Sequence, residues 1–145
     1  MAISSTNPAA CNCLALRQAT RHVTQFYDQF IGPLGLRATQ YSIIARLHRN
    51  GAMTINALAA DLVMDRTTLG RNIRPLQRDG LIAIGPGETD RRRKELRLTR
   101  AGVQRFQAAQ KGWAKAQAKF EHAFGQKRAK ALRTLLEDVT ARPFA

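Results

Sequence analysis

The chain has 145 residues, enough for one domain with a real core and short for two. Its 24 Lys and Arg against 10 Asp and Glu give a formal net charge of +14, and 18 of those cations are arginine, the side chain suited to phosphates and base edges. That surplus points to a polyanionic partner. No apolar run approaches a membrane span and MAISSTNPAA lacks the blocks of a secretory signal, so a cytoplasmic protein with reduced thiols is expected.

Helical patterning begins early. Over residues 13–31, Leu16, Ala19, Val23, Phe26, Tyr27 and Phe30 recur with helical spacing until GPLG (32–35) stops the helix. A second helix is expected over about residues 39–49, with Tyr41, Ile44, Ala45 and His48 on one side and Gly51 past its end. In TINALAADLV, Thr54 can cap a third helix whose Ile55, Leu58, Ala59, Leu62 and Val63 fit the amphipathic template. DRTTLGRNIRPLQRDG makes a fourth, with Asp65 as cap, Leu69, Ile73 and Leu76 as buried stripe and Gly80 as terminator. Pro75 cannot bond the Arg71 carbonyl, so a bend is expected there.

That fourth helix carries the first chemical signal. Around its narrow stripe stand Arg66, Thr67, Thr68, Arg71, Asn72, Arg74 and Arg78, the hydroxyl, amide and guanidinium groups that read base edges and grip phosphates. It follows a short helix across a tight turn, as a helix-turn-helix requires, and Thr54 at the start of that shorter helix joins the expected DNA contacts. Next, LIAIG (81–85) reads as a strand, PGETDRRRK as a turn-rich tip and ELRLT (95–99) as the returning strand, with Leu96 and Leu98 on one face. This is the order of a winged helix. Its tip, Asp90, Arg91, Arg92, Arg93 and Lys94, can enter a minor groove, where narrow segments concentrate negative potential. Glu88 and Asp90 are expected to pair with the arginines and aim them outward. The bland alternatives are a solvated amphipathic helix and a mixed-charge loop.

A long helix then runs from residue 101 to about 124, and GQKRAKALRTLLEDVTARPF supplies a last one with Leu132, Leu135, Leu136 and Val139 in a stripe and Phe144 beyond. Terminal helices this apolar would leave large exposed patches on a monomer, which supports a dimer. The expected fold is mainly α with a small β component (α+β), about six helices and a small β-hairpin wing.

These residues resemble the MarR-type winged-helix transcription regulators. Asp90, Arg92, Leu98, Thr99 and Gly102 match the family's Asp-x-Arg … Leu-Thr-x-x-Gly pattern, and Leu76, Gly80, Leu81 and Ile82 match its Leu-x-x-x-Gly-Leu-Ile. GLRATQYSIIARL and MTINALAADLVMDRTTLGRNI also stand in the family's order, and the resemblance spans roughly residues 13–140. It implies a single MarR-like domain over 1–145, with a DNA-binding part at 37–102 and dimerisation helices at 11–36 and 103–145. It further implies a homodimeric repressor on a pseudo-palindromic double-stranded DNA operator, released by a small aromatic or anionic effector. By the same analogy, Phe26, Tyr27, Phe30, Tyr41, Trp113 and Phe120 line an effector pocket, although aromatics at helical spacing are most often core.

CNCLAL resembles the reactive-cysteine stretch of the family's organic hydroperoxide resistance branch. Cys13 matches the sensing position and Tyr27 one helper tyrosine, with Cys11 adjacent, while Ala38 and Arg17 stand where tyrosines are found in that branch. A helix dipole and Arg17 would favour a thiolate. His22, His48 and His122 are not spaced as a ligand set, and no phosphate loop, nucleophile elbow or carboxylate pair is visible, so no metal, cofactor or enzymatic activity is expected. Two further readings stay open beside the effector-released repressor: a thiol-based oxidant sensor, and a nucleoid-type protein binding DNA by charge alone.

Overall fold

The computed structural model describes residues 6–145; the first half of the MAISSTNPAA stretch lies outside the described residues. After a single-turn helix at Pro8–Ala10 comes α1 (Asn12–Ile31), then a second tight turn, Gly32–Leu34. The other helices are α2 (Ala38–Asn50), α3 (Ile55–Leu62), α4 (Arg66–Arg78), α5 (Arg100–Phe124) and α6 (Gln126–Ala141). Three strands, β1 (Met53–Thr54), β2 (Ile82–Pro86) and β3 (Lys94–Leu98), form an antiparallel sheet in the order β1-β3-β2. The six helices and the β2–β3 hairpin agree with the sequence. Strand β1 was not foreseen, because two residues are too short to show alternation.

Caps explain where the helices begin. Thr54 Oγ1 accepts the Ala57 N–H at 3.2 Å, Asp65 Oδ1 the Thr68 N–H at 2.7 Å, and Thr99 Oγ1 the Gly102 N–H at 3.0 Å. The start of α2 is held from outside: Asp28 on α1 accepts the Ala38 N–H at 2.6 Å. The core gathers Ile31, Ile43, Ile44, Leu58, Leu69 and Leu96, each essentially buried. Burying each such side chain is worth roughly 1.5–3 kcal/mol, so this cluster secures the order α2, α3, α4 and sheet. Helix α5 passes close to the end of α1 at Gly112, where a Cβ would meet the Phe30 carbonyl oxygen at 2.4 Å.

Two local expectations change. Val63 does not extend the α3 stripe: at φ 53 it is the left-handed residue that ends the helix, and it is 72% exposed. On α2 the buried positions are Tyr41, Ile43, Ile44 and Leu47, while His48 is exposed with its ring 4.5 Å from that of Phe106 at the edge of the core. Helix α4 runs through Pro75 as one continuous element.

Candidate nucleic-acid interface

Helix α4 buries Leu69, Ile73 and Leu76 and presents the rest. Arg66, Thr67, Thr68, Arg71, Arg74 and Arg78 are exposed and Asn72 is half-buried. Two of these are partly engaged. The Thr68 hydroxyl donates to Asp65 Oδ2 at 2.8 Å, and the Asn72 amide donates to the Thr68 carbonyl at 2.9 Å. Each keeps an oxygen able to accept. The Thr68 N–H, then its hydroxyl, hold the Asp65 carboxyl below the ordinary carboxylate range. Thr54 is half-buried, and its hydroxyl is already occupied as the α3 cap.

At the wing tip Arg91, Arg92, Arg93 and Lys94 are all exposed. Asp90 organises them differently from the expectation: its Oδ1 accepts the Arg92 backbone N–H at 3.0 Å, and its carbonyl accepts the Arg93 N–H at 3.1 Å. The turn closes with the Gly87 N–H on the Arg93 carbonyl at 2.7 Å. Among the described residues no ion pair joins Glu88 or Asp90 to a guanidinium. A short side chain two residues back reaches a backbone donor more easily than a distant guanidinium, which stays free. Lower on the wing, Arg97 pairs with Glu95 at 3.9 Å and donates to the Pro86 carbonyl at 3.3 Å.

The aromatic residues split between two cavities, because adjacent positions on α1 point about 100° apart. Tyr27, Tyr41 and Trp113 line a cavity of about 570 Å³ between α1, α2, α3 and α5, together with Arg46 and Arg49. Phe26 and Phe120 line a second, of about 660 Å³, between α1, α5 and α6, and Phe30 lines neither. Phe30 instead packs edge-on against Phe26, one turn away, beneath the Lys119 ammonium at 5.3 Å. In the first cavity Tyr41 stacks on Trp113 at 6.3 Å, and the Tyr27 hydroxyl donates to Gln117. Burial, and then the Glu121 carboxylate, push the Tyr27 phenol above its ordinary value against the pull of Arg133; burial alone raises Tyr41. Sequence reasoning missed Arg46 and Arg49, because a cation on α2 gives no sign of facing α1 and α5.

The MarR family profile matches residues 36–94, from the end of the α1–α2 connection through the wing tip. A transcriptional regulator of M. tuberculosis, MosR, solved in complex with DNA, is 33% identical at a TM-score of 0.76, over 90% of this chain and 97% of that one. This chain belongs to the MarR family. A probable transcriptional regulator from Pseudomonas aeruginosa is 25% identical at a TM-score of 0.81, over 92% and 99%. NadR in complex with 4-hydroxyphenylacetate shares the fold, with 22% identity and a TM-score of 0.77 over 99% and 100%. No curated protein sequence matches significantly. The family and fold are those of DNA-binding transcription regulators and not of enzymes.

The MarR Leu-Thr-x-x-Gly signature has a physical meaning here. Leu98 packs on the core, the Thr99 hydroxyl bonds the Gly80 carbonyl, and the Thr99 N–H bonds that of Leu81 at 3.1 Å. Near the N-terminus of this MarR chain both cysteines are exposed free thiols. The sulfur at the cap of α1 is Cys11, accepting the Leu14 N–H at 3.3 Å, while Cys13 lies inside the first turn. Among the described residues no group of three or more His, Cys, Asp or Glu could hold a metal ion, and no helix is long and apolar enough to cross a membrane.

Proposed function

We propose that this MarR-family chain is a homodimeric repressor of a pseudo-palindromic operator, released by a small ligand. One observation carries the reading. Eight cations on two successive elements, Arg66, Arg71, Arg74 and Arg78 of α4 and Arg91, Arg92, Arg93 and Lys94 of the wing, are exposed, and none is in an ion pair among the described residues. Each would gain a phosphate or base edge without giving up an internal partner. Helix α4 enters the major groove, where Thr67, Thr68 and Asn72 meet base edges, and the wing enters the adjacent minor groove.

Residues 37–102 form the DNA-binding part, and 11–36 with 103–145 the dimerisation part. Support for the latter is the apolar surface left on the terminal helices: Leu14, Leu16 and Leu136 are exposed, Leu135 is 65% exposed and Phe144 80%. Two-fold symmetry then sets two α4 helices about one DNA turn apart. The effector occupies the cavity beside Tyr27, Tyr41 and Trp113. The protein acts in the cytoplasm, at the nucleoid.

Selection of bound duplexes from a random library, at about physiological ionic strength so that purely electrostatic binding is partly screened, tests this. A recovered pseudo-palindrome with half-sites about ten base pairs apart is the expected result. Retention of DNA without a motif replaces the repressor with a nucleoid-type protein. A second reading, oxidant sensing through Cys13 with Cys11 beside it, is favoured by the exposure of both thiols and the Leu14 N–H on the Cys11 sulfur. Operator release by an organic hydroperoxide in the wild type, lost in Cys13→Ser, is its expected signature.

A further inference from the structure

Tyr27 and Asp28, neighbours near the end of α1, hold two different helices. Asp28 Oδ1 accepts the Ala38 N–H at 2.6 Å, one of the donors that the first turn of α2 leaves without a helical partner. The Tyr27 hydroxyl donates to Gln117 Oε1 on α5. Burial, and then Glu121, raise the pKa of that phenol, so it stays a protonated donor. The Gln117 amide donates in turn to Glu121 Oε1, one turn along α5, at 3.4 Å, and Arg133 on α6 reaches the same oxygen at 3.4 Å. A polar chain thus runs from α6 through α5 and two consecutive residues of α1 to the start of α2, the first helix of the DNA-binding part.

The covalent link at this place does not fix an angle. The turn between α1 and α2 opens on Gly32 and closes on Gly35 at φ 82, and glycine accepts many backbone angles. Ile31 and Leu36 are buried on either side of the turn and hold the two parts together, but apolar burial has no direction. Helix α5 lies directly on the α1 backbone, where a Cβ on Gly112 would meet the Phe30 carbonyl oxygen at 2.4 Å. That contact is a pivot. Tyr27 and Asp28, within a turn of it, oppose rotation about it with directional bonds. On the homodimer and pseudo-palindromic operator proposed above, we infer that Tyr27 and Asp28, backed by Gln117, Glu121 and Arg133, set the half-site spacing that the dimer accepts. Two-fold symmetry applies any tilt at this joint to both α4 helices, so their separation changes by the displacements of both. One base pair moves a half-site by about 3.4 Å and about a tenth of a turn, which is the step the joint has to resolve.

The selected operator is compared with duplexes whose spacer is one base pair shorter or longer, and with a single half-site. The wild type is expected to lose about tenfold in affinity at either changed spacing. Asp28→Ala should cut that loss to about twofold while binding the single half-site as the wild type does. Asp28→Asn, which keeps an acceptor oxygen, should retain the preference. Arg133→Gln changes an exposed side chain at the far end of the chain and should relax the preference in the same direction. Nitroxide labels on Gln77→Cys, an exposed position of α4, in a Cys11→Ser, Cys13→Ser background report the separation of the two α4 helices without DNA. Their distance distribution should be narrow with Asp28 and broad in Asp28→Ala. Unchanged spacing preference, an unchanged distribution, or equal weakening on every duplex including the half-site overturns the joint and leaves Asp28 a merely structural cap. Should Asp28→Ala not fold, Arg133→Gln and Tyr27→Phe decide by the same readings. A wild type that selects no duplex from a random library sinks the operator reading separately, and the label distances still decide whether the joint fixes the α4 separation.

Discussion

A Cβ built on Gly102 would stand 2.1 Å from the carbonyl oxygen of Leu81, so the first turn of α5 lies directly on the backbone that leads from α4 into β2. The Thr99 hydroxyl and N–H reach the Gly80 and Leu81 carbonyls from the same turn. Gly102→Ala forces backbone apart rather than a flexible side chain. It is expected to destabilise by about 1–3 kcal/mol even though alanine favours helix by about 1 kcal/mol. Gly70 in α4, with nothing within 4 Å of a built Cβ, is the control, and Gly70→Ala should stabilise by up to about 1 kcal/mol. Urea midpoints of the two variants check the contrast; equal shifts would remove the close contact as the reason.

Arg92 spends its backbone N–H on Asp90 while its guanidinium stays free, so its side chain contributes nothing internal to lose. Arg92→Ala should weaken operator binding and make its dependence on log salt shallower by about one, the share of a single phosphate contact. Thermal midpoint and dimer mass should not move. Unchanged affinity at any salt would take the wing out of the interface.

Asp65 supplies a pH test. Its folded pKa is depressed, by the Thr68 N–H first and the Thr68 hydroxyl second, below an unfolded value near 3.9. Its stabilisation is therefore complete above that unfolded value and is lost as pH falls through the lower folded one. The wild type should lose stability across this acid window by an increment that Asp65→Asn, a cap without a titrating group, does not lose. Urea midpoints of both proteins from neutral pH into that window measure the difference; parallel curves would show that Asp65 caps α4 without a charge contribution.

Val63 holds a left-handed conformation at φ 53 with its side chain 72% exposed, so its β-branch costs strain and gains little burial. Val63→Asn, a residue that tolerates this region, should raise stability by about 1 kcal/mol. Val63→Gly should gain less, because glycine adds back unfolded-chain entropy of roughly 0.5–1 kcal/mol. A fall in the thermal midpoint of Val63→Asn would mean that the exposed side chain packs on something in the assembled protein.

Much of the fold was legible because its signals are local. The Asp65 and Thr54 caps, the Leu69–Ile73–Leu76 stripe, the alternation into Leu96 and Leu98 and the arginine tip each depend on residues within a turn or two of chain. Where local order ran out, tertiary packing decided. Met53 and Thr54 became a strand only because β3 offered an open edge, pairing Met53 with Leu96. Tyr27 parted from Phe26 and Phe30 because α2 and α5 approach one side of α1 and α6 closes on the other. Asp90 turned to the Arg92 backbone because that donor was nearer than any guanidinium. Arg46 met Asp61 across an interface between helices, where periodicity within either helix carries no information. The sequence by itself determined the family, the order of the six helices and the hairpin, and the cationic make-up of α4 and the wing tip. Only the tertiary structure decided which side chains share a cavity, since that depends on the angle and distance at which helices pack rather than on spacing along one of them.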